Sequence, residues 1–312
     1  MGKYIVRRLG ALVIILFGLS VLAFGLTNIL PSDPVQQLLE SMGAGQDPVV
    51  AQKMRTQYGL DRSLPEQYLS WLAGILHGDF GESVKYAQPV SQILSRKLPN
   101  TIKLACSSFL LMLMISLPLG ILSALYRNRP ADYCIRFLSF IGISLPSFWI
   151  GLMLIYLFSV RLRLLPVNGS ETTAHLIMPT VTLALGMASA YIRRIRTAML
   201  EQIREPYIVG LLSRGASRMR IVFCHILPNS LLSIVTMLGM SFGGLLGGTM
   251  IVETIFGWNG IGRAAVEAIA NRDYQLIQGY VMWMGTIYVL LNLLVDISYR
   301  YLDPRIRIGE PL

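Results

Sequence analysis

Six long apolar segments constrain the fold of this chain more than any other feature. A helix needs about 20 mostly apolar residues to cross the roughly 30 Å of hydrocarbon in a bilayer, and each segment is close to this length or longer. Prolines inside three of them are expected to kink rather than end a helix, because neighbouring helices can satisfy the freed backbone groups. The pattern predicts an all-α polytopic membrane protein with six transmembrane helices. The segments are 9–30, 101–126, 134–160, 175–193, 227–252 and 279–302.

Composition supports a protein embedded in lipid. Hydrophobic residues make up 54% of the chain and charged residues only 14%, which is too little charge for the surface of an ordinary soluble domain. The net charge of +10 would suit a nucleic-acid-binding protein, but the Lys and Arg residues do not gather in one polar domain. We therefore expect the lipid bilayer to be a partner and nucleic acid not to be one.

Basic residues are unevenly shared between the connections, and this predicts orientation. Four terminal or connecting segments hold 16 Lys and Arg against five acids, whereas the other three connections hold 10 against eleven acids. By the positive-inside rule, the basic set is cytoplasmic, so both termini are predicted to be cytoplasmic. The first apolar segment is longer than a signal-peptide core and is expected to remain as an anchor. The basic set is 1–8, 127–136, 191–226 and 300–312.

Signatures of enzymes and metal sites are missing from the sequence. There is no G-x-x-x-x-G-K-[ST] phosphate loop, and Asp79-Phe80-Gly81 stands without the other kinase motifs. The three histidines lack metal-ligand spacing, and the three cysteines are expected to be buried and unpaired. We expect no catalytic, cofactor or metal site on this chain, which is therefore not predicted to be an enzyme.

A stretch over residues 205–228 that carries three arginines, here called the hook, lies where the fourth and fifth apolar segments are joined. Pro206 at a first helical position and Gly215 just after a last turn predict a helix of about nine residues. Ser217 can cap a second helix running towards Pro228. So short a helix is marginal in water and should pack on something.

The apolar face of this first helix leaves two alternatives open. Ile208, Leu211 and Leu212 share one face by their i, i+3, i+4 spacing. That face could pack on the chain's own membrane helices. The alternative that we favour is insertion into a groove of a separate cytoplasmic protein.

Two other features of the apolar segments point to helix packing and to a pathway. Gly239, Gly243 and Gly247 recur at four-residue steps, a spacing that lets helices approach closely within the chain or between subunits. Glu253, at the outer end of the fifth segment, is costly in lipid. It could line the outer mouth of a pathway, or pair with Arg263 or Arg272.

The hook resembles the cytoplasmic loop of ABC-importer permeases. The pattern of that loop is Glu-Ala-Ala, three residues, Gly, nine residues, Ile, one residue, Leu-Pro. Gly215 and Leu227-Pro228 match its spacing, whereas Gly210, Leu211 or Ser213 stand at alanine positions and His225 replaces the Ile. Further stretches resemble the dipeptide, oligopeptide and nickel class of these permeases, namely 58–71, 77–83, 253–263, 271–278 and 303–307.

This resemblance implies a type I ABC-importer permease in a bacterial inner membrane. Its partners would be a second homologous permease, two cytoplasmic ATPase subunits that hold ATP and Mg, and an extracytoplasmic solute-binding protein. The hook would be the coupling helix seated in an ATPase cleft. The resemblance assigns that contact to Glu205, Tyr207, Leu211, Ser213, Arg214 and Gly215.

The predicted spans divide the chain into three parts. Residues 1–30 would form an N-terminal segment and first span, 31–100 an exported loop, and 101–312 a five-span core with a coupling loop at 194–226. The exported loop carries the apolar stripe Leu69, Leu72, Ile75 and Leu76, which predicts packing on the membrane domain. Docking of the delivered solute is the alternative role of that loop.

The substrate is predicted from finer likenesses. The short connection 161–174 and the run Gly247–Phe256 look more like nickel-type members, which favours nickel or another transition metal carried as a chelate. The alternative is a permease for di- or oligopeptides. A stand-alone proton-coupled secondary transporter is an alternative of another class, but the sequence lacks a visible inverted repeat and a carboxylate or histidine relay near the membrane midplane.

Overall fold

The computed structural model describes residues 2–29, 48–57 and 61–302, and over these residues it is almost entirely helical. Part of the predicted exported loop 31–100 and the motif at 303–307 lie outside the described residues. The helices are α1 (Gly2–Ile29), α2 (Pro48–Gln57), α3 (Leu64–Leu76), α4 (Val90–Leu125), α5 (Pro130–Ser144), α6 (Ser147–Leu154), α7 (Thr173–Ile203), α8 (Pro206–Ser213), α9 (Arg218–Ile221), α10 (Leu227–Ile255), α11 (Ile261–Ala270) and α12 (Tyr274–Leu302).

Four short elements complete the description. Strands β1 (Glu82–Ser83) and β2 (Gln88–Pro89) pair antiparallel, with Glu82 opposite Pro89. Two π-helical segments, Ile155–Arg161 and Val222–Ile226, lie within longer helical runs.

Within the described residues, the predicted apolar segments all fall on helices, which confirms the all-α polytopic fold class. Helices α4 and α7, and α12 over Tyr274–Val295, are each long and apolar enough to cross a membrane. In α1 the apolar helix Gly10–Gly25 is shorter than a full span, and α10 bends by 42° between Leu245 and Thr249.

The third predicted segment is broken rather than kinked. The axes of Pro130–Ser144 and Ser147–Arg161 meet at 98°. Leu145 takes an extended conformation (φ −86°, ψ 128°) because the ring of the following Pro146 disfavours the helical region for the residue before it. The prediction of one continuous helix over 134–160 was therefore wrong.

The described helices belong to two compact units. The first unit contains residues 1–99 and 260–290, and the second contains 100–259 and 291–312. This grouping differs from a division at residue 100, because α11 and the start of α12 share an apolar cluster with the first turns of α4. Their packing is close, since a methyl group added at Gly279 would lie 2.4 Å from Val90 Cγ1.

A charged cluster also holds the first unit together. Lys85 Nζ (2.7 Å), Tyr86 Oη (2.5 Å) and Arg263 Nε (2.9 Å) all donate hydrogen bonds to the Glu267 carboxylate. Burial opposes ionisation of Glu267, yet these three hydrogen bonds outweigh it and lower the pKa of Glu267 to about 2. Burial and the hydrogen bond to Glu267 raise the pKa of Tyr86. The β1–β2 hairpin is thereby tied to α11.

Helix α7 is the centre of the second unit. Added methyl groups at Gly120 of α4 and Gly142 of α5 would lie 2.7 Å from Ile195 and 2.1 Å from Ser189, so both helices approach α7 closely. On another side of α7, the Tyr191 hydroxyl donates to the Met237 carbonyl of α10 at 2.7 Å. The three cysteines are exposed, so the prediction that they are buried was wrong: each lies on an outward face of its helical segment.

Candidate functional site

The turn at the end of α8 has the geometry that its glycine predicts. Gly215 has φ +80°. Its N–H donates to the Leu212 carbonyl at 2.9 Å, and the Ala216 N–H donates to the Leu211 carbonyl at 3.1 Å. These two bonds satisfy carbonyls at the end of α8 and form a Schellman motif, in which a left-handed residue ends the helix. Only glycine adopts that conformation without a steric penalty.

The other predicted boundaries of the hook are confirmed, with one difference at its end. Helix α8 begins at Pro206, and the Ser217 hydroxyl accepts the Arg220 N–H at 3.4 Å as α9 begins. Pro228, in contrast, does not end the helical run, which continues into α10. Since a proline cannot donate to the carbonyl four residues earlier, here Cys224, the π-helical segment Val222–Ile226 accommodates it.

The inner face of α8 packs on the chain's own core. Ile208 is only 5% exposed and belongs to an apolar cluster with Ile195 and Met199 of α7 and Ile226 before α10. Leu211 is half-buried against the same cluster. Packing on the chain's own membrane helices, the alternative that we did not favour, therefore accounts for these two residues.

A neighbouring face of α8 is apolar and uncovered. Val209 is 63% exposed and Leu212 is 48% exposed. Tyr207 is also exposed, and its hydroxyl donates to Gln202 Oε1 (3.1 Å) and accepts from Asn229 Nδ2 (3.2 Å). These bonds hold the ring at the start of the helix. Below, "outer face of α8" means Val209 and Leu212.

The remaining residues assigned by the resemblance lie on exposed parts of the hook. Glu205 occupies the N-cap position of α8, and Arg214 occupies its C-cap position. The Ser213 hydroxyl donates to the Val209 carbonyl at 3.0 Å within the helix. Sequence reasoning missed Val209, together with the exposed Met219 and Phe223 that follow in the hook. The spacing of Val209 and Leu212 was the available signal, but it competes with the equally regular spacing of Ile208 and Leu211.

Glu253 is fully buried. Its Oε1 accepts a hydrogen bond from Thr101 Oγ1 at 2.7 Å, and its relative exposure is 0%. In the isolated chain this carboxylate therefore does not face an open mouth. Arg263, one of the partners suggested for it by sequence, donates to Glu267.

The predicted glycine stripe of α10 divides between packed and open positions. A methyl group at Gly239 would lie 2.4 Å from Val295 Cγ1 of α12, so Gly239 allows close packing within the chain. Gly243 is buried. Gly247 is exposed, and an added methyl group there would meet no atom within 4 Å.

A buried ion pair near the hook could not be predicted from sequence. Arg196 of α7 donates through Nε and Nη2 to the two carboxylate oxygens of Asp132, each at 2.8 Å. Ser123 Oγ (2.6 Å) and the Asn128 N–H (3.0 Å) donate to the same carboxylate. These bonds connect the end of α4 and the start of α5 with α7. Within the described residues, no group of three His, Cys, Asp or Glu side chains could hold a metal ion.

Comparison with family models gives the class of protein: residues 116–308 match the binding-protein-dependent transport system inner membrane component, and residues 1–105 match the N-terminal part of the membrane component of such systems. The chain belongs to this family of ABC-importer permeases and is a multi-pass inner-membrane protein.

Two relatives and one solved structure show the extent of the likeness. The chain is 35% identical to the probable D,D-dipeptide transport system permease protein DdpB of Escherichia coli, over 97% of each chain. It is 37% identical to the oligopeptide transport system permease protein AppB of Bacillus subtilis, over 98% of this chain and 99% of that one. A chain of the inward-facing MetNI methionine ABC transporter superposes with TM-score 0.57 at 20% identity, over 68% of this chain and 97% of that one, and this likeness concerns the fold.

Proposed function

We propose that this chain forms half of the translocation pathway of an ATP-driven importer for di- or oligopeptides. The observation that carries this proposal is the identity of 35% and 37%, over nearly the whole length, to permeases named for dipeptides and oligopeptides. This identity favours the peptide alternative over the nickel chelate, which rested on one short connection and one run of residues. A second permease of the same type, a solute-binding protein and two ATPase subunits with ATP and Mg would complete the transporter.

The outer face of α8 is the proposed contact with an ATPase subunit. It supports the proposal because an uncovered apolar face on a short helix stabilises a complex when it enters a groove. The cap residues Glu205, Arg214 and Gly215 would fix its orientation, and Ser213 would lie beside it.

The inner face of α8 gives this contact a route into the membrane helices. Ile208 packs in one cluster with residues of α7 and α10, so a displacement of α8 has to repack that cluster or move those helices with it. Packed cores resist continuous deformation, which makes rigid movement of the helices the favoured response. In this proposal the hook transmits movement rather than anchoring passively.

Two further assignments follow from the same proposal. The open surface at Gly247 would face the second permease, whereas Glu253 would be exposed only when the helices around it move apart. Both termini would be cytoplasmic, on the side of the hook, as the distribution of basic residues predicts.

A substrate competition measurement tests the peptide assignment. The assembled transporter, with its ATPases and solute-binding protein, is reconstituted into vesicles, and uptake of a labelled dipeptide is followed with Mg-ATP inside. We expect unlabelled di- and oligopeptides to compete and a nickel chelate not to compete. Uptake of the nickel chelate without any uptake of peptide would refute the assignment.

A further inference from the structure

A group of exposed arginines surrounds the turn between α4 and α5. Arg127, Arg129 and Arg136 are all exposed. Over the part of the chain that the structure describes, none of these three forms an ion pair. We call this group, together with Tyr126 and Tyr133, the arginine patch.

Asp132, the acid of this segment, cannot neutralise the patch. It is fully buried, and both of its carboxylate oxygens are taken by Arg196, Ser123 and the Asn128 N–H. The buried carboxylate is thus compensated by Arg196 alone. The three arginines of the patch keep a net charge of about +3 at the surface, since guanidinium groups remain protonated.

The same buried carboxylate holds the turn in one conformation. Asn128 has φ +60°, a strained value that asparagine tolerates better than most residues. Its N–H donates to Asp132 Oδ2 at 3.0 Å, which fixes the turn to the first turn of α5. A turn that is ordered before binding loses less conformational entropy when a ligand arrives.

Two arginines of the patch lie over aromatic rings at cation–π distance. The Arg129 guanidinium lies 5.8 Å from the ring centroid of Tyr126, and that of Arg136 lies 5.6 Å from the ring centroid of Tyr133. Each pair is separated by three residues, and all four side chains are exposed. A cation–π contact favours these positions of the guanidinium groups while leaving their N–H groups available to an anion.

The patch borders an apolar surface of membrane helix. On α5, Phe137, Leu138 and Phe140 follow within a turn of Arg136 and are exposed. On α4, Leu122 and Leu125 precede Tyr126 and are exposed. Cationic groups thus lie next to exposed apolar side chains such as Phe137 and Phe140 at a tyrosine-containing boundary, as at the interface between headgroups and acyl chains.

We propose that the arginine patch binds the headgroup of an anionic phospholipid, with the acyl chains lying against the exposed face of α5. Charge complementarity favours this occupant, because an acidic protein surface would satisfy the arginines but not the adjoining Phe137 and Phe140. The site lies at the same end of the helices as the hook, since Asp132 bonds to Arg196, seven residues before α7 ends at Ile203. A bound lipid would therefore stabilise the helix end from which the hook extends.

Native mass spectrometry of the full chain within its assembled transporter tests this proposal, with cardiolipin as the anionic probe and phosphatidylcholine as the neutral one. One arginine near an anionic surface changes affinity by about fivefold, so R129Q/R136Q should weaken cardiolipin binding by about 25-fold. Phosphatidylcholine binding should not change. The variant R129K/R136K, which keeps the charge, should retain most of the cardiolipin affinity.

The matched control is R161Q/R163Q, which removes two exposed arginines from another part of the second unit. We expect it to bind cardiolipin as the unchanged protein does. Equal losses in R129Q/R136Q and in the control would mean that net charge, not the patch, governs binding, and would overturn the proposal. So would unchanged cardiolipin binding in R129Q/R136Q, or loss of the ATPase subunits with cardiolipin retained, which would assign the patch to a protein partner.

Discussion

Replacing Gly215 by Val tests the role of the turn that ends α8. Gly215 has φ +80°, and a methyl group added there would meet no neighbouring atom within 4 Å, so backbone strain is the only direct penalty. An ordinary L-residue in the left-handed region loses about 1–2 kcal/mol, and a β-branched residue lies at the upper end. A change of 1.4 kcal/mol alters an equilibrium constant tenfold. A loss of about 2 kcal/mol should therefore lower the equilibrium ratio of the intact turn to its open forms by about 30-fold.

The assay measures solute uptake and ATP hydrolysis together. Transporters assembled with G215V are reconstituted into vesicles, and molecules of labelled peptide imported per ATP hydrolysed are compared with the unchanged protein. We expect this ratio to fall severalfold while hydrolysis continues, because the outer face of α8 loses its fixed orientation. Membrane insertion should be unaffected, since the turn lies outside the spans.

Asparagine provides the matched control. It enters the left-handed region more easily than other residues with a side chain, so G215N should keep most of the coupled transport. If G215V imports as much peptide per ATP as the unchanged protein, the strained turn has no part in coupling and the reasoning is wrong.

Three further predictions address the outer face, the buried ion pair and the charged cluster. V209D should lower copurification of the ATPase subunits with little change in thermal stability. In contrast, I208A empties a buried site and should lower the free energy of unfolding by about 2–5 kcal/mol. Loss of ATPase binding in I208A but not in V209D would contradict this. In denaturation experiments D132A should cost about 3 kcal/mol because it leaves Arg196 unpaired, and D132L/R196M should cost clearly less; equal losses would refute the pairing argument. E267Q should lower the free energy of unfolding by about 1 kcal/mol at pH 7. This is less than the full pKa shift of Glu267 corresponds to, because Lys85 and Arg263 are partly exposed and solvent screens their attraction to it. Since the pKa of Glu267 is lowered, that difference should persist above about pH 4.5 and disappear as the pH falls to about 2; a difference that grows on acidification would contradict it.

The boundaries of the short helices in the hook could be predicted accurately from the sequence. Pro206 and Gly215 delimit α8, and Ser217 caps α9, because caps and turns depend on the conformation of a few adjacent residues. The apolar segments were readable for a similar reason: their length and composition are properties of single helices.

The orientation of α8 was not readable in the same way. Ile208 and Leu211 lie on one face, and Val209 and Leu212 lie on another, so both faces are apolar at helical spacing. Which face turns inward depends on residues of α7 and α10 that pack against it. Periodicity within one helix contains no such information.

Long-range polar pairs and proline effects account for the other differences between the predicted and the observed structure. Asp132 and Arg196 are 64 residues apart, and neither residue alone indicates its partner. Pro146 breaks a span at 98°, whereas Pro179 lies inside the uninterrupted α7. The same residue type has opposite outcomes, because neighbouring helices decide whether the freed backbone groups are satisfied.

The central claim is that this chain moves solute only when an ATPase acts on the outer face of α8. The most direct measurement compares vesicles that contain this chain with its permease partner alone and vesicles that also contain the ATPase subunits, both with solute-binding protein outside and Mg-ATP inside. We predict that labelled peptide accumulates against its gradient only when the ATPase subunits are present. Accumulation without them, driven for example by a proton gradient, would contradict the claim.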